Sequence, residues 1–183
     1  MQLRNDEGRY GAVAQGFHWL IAVLILATIV IALYMTGLPL SPEKIKTYNL
    51  HKSIGVTILA LALLRLVWRF VSPPPALPDA MPGWERAAAR ASHLALYLLL
   101  FAQPVIGIFH SSAASFPVVV FGVVTLPSVT APDKALKETL EALHSWLGWA
   151  FVALICLHAA AALRHHFIVK DDILRRMLPG AGR

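Results

Sequence analysis

Histidine is the residue type in this chain most able to do chemistry. Eight of the 183 residues are histidine, and an ionisable side chain inside an apolar segment marks a functional site by default. His144 and His158 lie fourteen residues apart in one long apolar stretch. As helix, that interval rises about 21 Å and turns about 1,400°, roughly 40° short of four full turns. Both imidazoles therefore share one face of one helix at two depths. Depth then assigns partners from other segments: His51 lies at the level of His144, and His18 at the level of His158. Each level would receive two imidazoles from two different helices, the arrangement expected of two stacked metal centres.

The residues one turn after these histidines are small: Ala22, Gly55, Gly148 and Ala162. The second and fourth segments even repeat His-x-x-x-Gly, as HKSIG and HSWLG. Small residues let a flat macrocycle approach the backbone, although they also serve helix packing. The same position after His93 is Tyr97, and after His165 and His166 it is Val169 and Lys170. The apolar segments carry no matching carboxylates, and the chain has a single cysteine, Cys156, which counts against zinc, di-iron and iron–sulfur sites. Bis-imidazole ligation of haem iron remains. Without a Cys-x-x-Cys-His motif the haem would be b-type rather than covalently attached.

These side chains need long apolar elements to hold them, and the composition supplies them. Apolar residues make up 57% of the chain and charged residues 14%, against roughly 45–50% and 25% in soluble domains. Mean hydropathy is +0.64. Disorder and a disulfide scaffold are excluded, and a soluble enzyme is disfavoured. Four stretches, at about residues 17–36, 50–70, 91–109 and 140–167, are each long enough to cross a hydrocarbon core of about 30 Å. Lipid-spanning backbone must satisfy its own hydrogen bonds, so they are read as helices. The expected fold is all-α: an integral membrane four-helix bundle over residues 17–168, with an N-terminal segment 1–16 and a tail 169–183. Gly37, Pro39 and Pro42 break the first connection, and Pro73, Pro74, Pro75, Pro78 and Pro82 the second. The connection from about 111 to 137 is the longest. Its apolar run 118–124 is too short to span and is expected at the interface. Pro104 predicts a tolerated kink in the third helix. Trp19, Trp68 and Trp146 near helix ends read as an interfacial belt.

Charge sets the expected orientation. Eleven lysines and arginines fall on the side of the termini and the second connection, and five (Lys44, Lys46, Lys52, Lys134 and Lys137) on the other. The positive-inside rule places both termini in the cytoplasm. The first apolar run is too long for a typical signal peptide and shows no clear cleavage motif, so it is read as a retained helix.

The segments GFHWL, NLHKSIG, SHLALYLLLFAQPVIG and LHSWLG…LHAAAALRHHFIVKDDILRRMLP resemble the bacterial cytochrome b561 family from about residue 11 to 179. The resemblance is weakest around residues 112–134. It implies a di-haem b protein of the bacterial inner membrane, related to hydrogenase cytochrome b subunits. By the same resemblance His18 and His158 hold the cytoplasmic haem and His51 and His144 the periplasmic one. One branch of the family oxidises superoxide and passes the electron to ubiquinone. On that reading, His165, His166 and Lys170 are candidates for a quinone site, the two histidines as proton donors. The alternative is a basic cluster at anionic lipid. Arg65, Arg69 and Arg164 are candidates for haem propionates. His93 is read as a hydrogen-bond partner of a propionate or another helix, and His110 as interfacial. Lys44, Lys46 and Lys52 either steer an anion such as superoxide or are solvated loop lysines.

The expected partners are membrane lipid, quinone and a small anionic donor, with a redox partner subunit conceivable and nucleic acid not expected. Two other functions stay open. One is a cytochrome b anchor for a hydrogenase or dehydrogenase, although the short loops leave little docking surface. The other is a small proton-coupled transporter, which would be colourless and for which no inverted repeat is evident.

Overall fold

The computed structural model describes residues 2–78 and 80–180. Met1, Asp79 and residues 181–183, including the Arg183 counted in the charge balance, lie outside the described residues. Four helices dominate: α1 (Ala12–Gly37), α2 (Pro42–Val71), α3 (Gly83–Ala113) and α4 (Lys134–Arg164). Each is long and apolar enough to cross a membrane. A π-helical turn (His165–Val169) extends α4, and a short helix α5 (Ile173–Met177) follows.

All four helices start earlier than their hydrophobic stretches suggest, and in α2 and α4 polar capping residues extend them. Ser41 caps α2 by accepting from the Lys44 amide at 3.2 Å, with Pro42 opening the helix and Glu43 in its first turn. Asp133 caps α4 through the Leu136 amide at 2.9 Å. Tyr34 donates to Glu43 across the α1–α2 connection at 2.5 Å. Pro104 lies inside an unbroken α3, and that helix runs past His110 to Ala113.

The closest helix pairs are α3–α4 and α1–α2, and α2–α3 contact joins the two hairpins. Ile21, Ile54, Ile58, Ala62 and Leu100 form the buried cluster, bordered by Leu24, Ile25 and Phe101. In lipid such packing is held by van der Waals contact and small residues rather than by expulsion of water. The outward faces are apolar: Val30, Leu33, Val67, Leu98 and Leu157 are all more than half exposed in the isolated chain, as lipid-facing side chains must be. By contrast α4 stands off from α1 and α2 and has no fully buried residue of its own. That standoff is where the histidines meet.

The long connection is more ordered than its composition implies. Its apolar run folds as a two-stranded hairpin, Val119–Val120 against Val124–Thr125. Phe121 and Gly122 both have positive φ, 49° and 73°, as a tight hairpin turn of matching twist requires. Ser53 of α2 clasps it, accepting from the Phe121 amide at 2.9 Å with its hydroxyl 3.2 Å from the Val119 carbonyl.

At the opposite end the two termini are sewn together. Asn5 bonds Ser72 and Pro73, Arg9 donates to the Leu178 carbonyl, and Trp19 donates to Met177 at 2.9 Å. Gly11 is needed where the chain folds back, because a Cβ there would collide with the backbone of Leu3 and Arg4.

Candidate functional site

The structure brings the four predicted histidines together in two pairs. His51 of α2 faces His144 of α4 with ring centres 6.2 Å apart and planes at 76°. His18 of α1 faces His158 of α4 at 6.4 Å and 77°. An imidazole nitrogen sits about 2 Å from a metal it ligates, so two rings flanking one metal have centres roughly 6 Å apart. Both pairs meet that spacing. They bridge the standoff between α4 and the α1–α2 hairpin, where helix backbones are not in close contact.

The surroundings of the His51–His144 pair match ligand chemistry. Each ring holds a buried Nδ1 with no hydrogen-bond partner. A buried ring nitrogen without a protein partner is costly unless another group takes it up, and a metal does so. The glycines one turn on leave room beside the rings. A Cβ on Gly55 would meet nothing within 4 Å, and one on Gly148 only Gln103 Nε2, at 3.6 Å. A flat macrocycle held by two imidazoles fits these residues.

Sequence reasoning missed two neighbours of His144. Gln103, buried in α3, donates to the His144 carbonyl at 3.1 Å. Gly107, one turn further, has His144 Cε1 3.4 Å from where its Cβ would be. A buried amide beside Pro104 in an otherwise apolar helix was the available signal for Gln103. Nothing in the sequence marks Gly107.

His93 is closer to the second pair than expected. Its ring centre lies 5.4 Å from that of His158, so this end of the bundle has three neighbouring imidazoles. Arg65 and Arg69 both lean over the Tyr97 ring, at 5.6 and 5.8 Å. Neither is in an ion pair with a carboxylate among the described residues, which leaves their charge for an anionic group. Trp68, between them in sequence, is inward-facing at its Nε1, which is buried without a partner. It is therefore not simply an interfacial anchor.

Arg164 is already paired, with Glu85 at 3.2 Å. His165 is enclosed: Nδ1 lies 2.5 Å from Asp171 Oδ2, and Nε2 lies 3.7 Å from Glu85 Oε2. His166 Nδ1 is buried without a partner, whereas Lys170 is exposed and closes the π-turn with a positive φ of 62°. Glu85 and Asp171 were not singled out from the sequence, because a carboxylate in a helix first turn or in a charged tail is usually solvated.

Two of the three lysines considered for anion steering are committed to the fold. Lys44 Nζ donates to the Leu38 carbonyl at 2.7 Å. Lys52 Nζ donates to the Pro117 carbonyl at 2.7 Å and lies 3.4 Å over the Phe116 ring. They are neither free nor merely solvated. His110 is in α3 with Nε2 3.9 Å from Glu141, apart from both pairs.

Comparison with known proteins shows the family. The family model for prokaryotic cytochrome b561 matches residues 9–180. Cytochrome b561 homolog 2 of Escherichia coli (strain K12) is 43% identical over 180 residues, covering 97% of this chain and 95% of the relative. The probable superoxide oxidase CybB of Yersinia pestis is 30% identical, covering 93% and 96%. Cytochrome b561 homolog 1 of Escherichia coli (strain K12) is 32% identical, covering 88% and 92%. A bacterial membrane bundle whose histidines pair across the standoff of α4, matched along nearly its whole length, belongs to the prokaryotic cytochrome b561 family and transfers electrons across the membrane.

Proposed function

We propose that this protein takes electrons from a small anionic donor, superoxide, and delivers them across the membrane to ubiquinone. The observation that carries the reading is the pair of imidazole pairs, at 6.2 and 6.4 Å, on one face of α4 and about 21 Å apart along it. Two b-type haems bound there would supply one-electron carriers at two depths. Their histidine holders would be His51 with His144 and His18 with His158. Arg65 and Arg69, in no ion pair with a carboxylate among the described residues, would neutralise propionates. The termini lie on the cytoplasmic side, so the second set is the inner one and the hairpin faces the periplasm.

Superoxide as donor is supported by the name of the Yersinia pestis relative and by the cationic Lys46, Lys52 and Lys44 near the outer pair. Quinone is proposed at the end bearing His165, His166 and Lys170. The overall reaction balances as two superoxides, one quinone and two protons giving two dioxygens and one quinol. The first half needs no protein acid or base. The second needs protons, which His165 would supply.

Purified protein is expected to show b-type bands on reduction and two haems per chain, and to reduce quinone when superoxide is generated. His18→Ala and His158→Ala should each lose the inner haem alone, while His93→Ala keeps both. A colourless protein, or His158→Ala retaining both haems, would overturn the assignment.

A further inference from the structure

The cluster around His165 has more parts than a lone proton donor requires. The π-turn and the left-handed Lys170 fold the chain back so that the Asp171 amide bonds the His165 carbonyl at 3.2 Å. That return sets Asp171 Oδ2 against His165 Nδ1 at 2.5 Å, while Asp171 Oδ1 is held by the Ile173 amide at 3.1 Å. Backbone in an unfavourable conformation persists only where its surroundings over-determine it, and π-turns recur at functional sites. Asp171 thereby orients the imidazole and assigns its Nδ1 a proton, leaving Nε2 aimed at α3. There Glu85 waits at 3.7 Å, its side chain only 12% exposed, with its other oxygen on Arg164. Arg164 is half exposed, so Glu85 is one side chain from water. Asp172 pairs with Arg176 at 3.0 Å, Lys170 is exposed, and His166, with a buried Nδ1, is the next imidazole along the π-turn.

We propose that Asp171, His165 and Glu85 form a proton relay for quinone reduction, with Asp171 and Glu85 as positioning residues acting through His165. This rests on the quinone reading above. In each transfer the His165 Nε2–H bond breaks and an O–H bond forms on a quinone oxygen. The Glu85 carboxylate then takes up a proton from water and passes it to Nε2, which restores both groups. Two such transfers accompany the two electrons supplied by two one-electron donor molecules.

The test uses purified full-length protein carrying its haems, with ubiquinone and generated superoxide, comparing wild type with Glu85→Gln, Asp171→Asn and His165→Gln. Haem content and the rate at which the donor reduces the haems are measured alongside quinol formation. A positioned acid contributes about 100-fold or more. His165→Gln should therefore slow quinol formation by that order, and Glu85→Gln by about tenfold or more, with unchanged haem reduction. Glu85→Gln should also move the pH optimum to lower pH and be rescued by a small weak acid. Asp171→Asn should change the pH profile of quinol formation even if haem content stays full. Wild-type rates and pH profiles in Glu85→Gln and Asp171→Asn, with His165→Gln slow, would overturn the relay and leave the quinone reading standing. A wild-type rate in His165→Gln would overturn both.

Discussion

Gly107 is the position where a single added group should separate the two proposed haem sites. The hydrogen on its Cα side faces His144, and a Cβ there would lie 3.4 Å from Cε1 and 3.8 Å from Nδ1. Alanine thus makes an ordinary van der Waals contact, since carbon atoms pack best at about 3.5–4.0 Å. Valine adds methyls about 1.5 Å further out. One of them aimed at the ring would come within roughly 2 Å, so the imidazole must retreat by about 1 Å or more to restore contact distance. A metal ligand tolerates displacements of about 0.2 Å. Overpacking of this kind costs about 1–3 kcal/mol, which the bundle survives, but the metal bond does not. Gly107→Ala should retain two haems per chain. Gly107→Val should lose the haem held by His51 and His144 and keep the other, read from haem stoichiometry and the reduced-minus-oxidised spectrum. Two haems with an unaltered spectrum in Gly107→Val would refute the assignment of His144 as a ligand, and loss of both haems would refute the independence of the two sites.

Two further outcomes are expected. Lys52→Met removes a charged donor to the Pro117 and Phe116 carbonyls, worth about 2 kcal/mol. Hydrogen exchange of the hairpin amides, Phe121 and Val123 among them, should accelerate by roughly thirty-fold, and unchanged protection would show that Ser53 alone secures the loop. Burial holds the Tyr10 phenol above its ordinary value of 10.0, against the opposing pull of Arg69 and Arg65. The folded state then binds more protons than the unfolded one as pH rises past 10. The stability Tyr10 contributes is full below that value and is lost through the alkaline range. Tyrosinate absorbance should show a late-titrating component that disappears in Tyr10→Phe.

The membrane class and the two histidine pairs were legible because both depend on periodicity. A fourteen-residue interval on a helix has one geometric consequence, and hydropathy over twenty residues has one environment. The helix ends were less legible. Ser41-Pro42-Glu43 and Asp133 lengthen α2 and α4 with polar residues that hydropathy cannot distinguish from loop. The run 118–124 was apolar for a reason hydropathy does not encode: it is a clasped hairpin.

The sequence by itself therefore determined that this chain crosses a membrane on four helices and carries imidazoles at two depths. Composition and helical period act along the chain, where sequence is direct evidence. Only the tertiary structure decided that α4 stands off from α1 and α2, that His93 joins His158, that Lys52 ties down a loop, and that Glu85 and Asp171 enclose His165. Glu85 and His165 are eighty residues apart in the chain. Their meeting depends on how α3 and α4 pack and on one π-turn, and no local pattern records either.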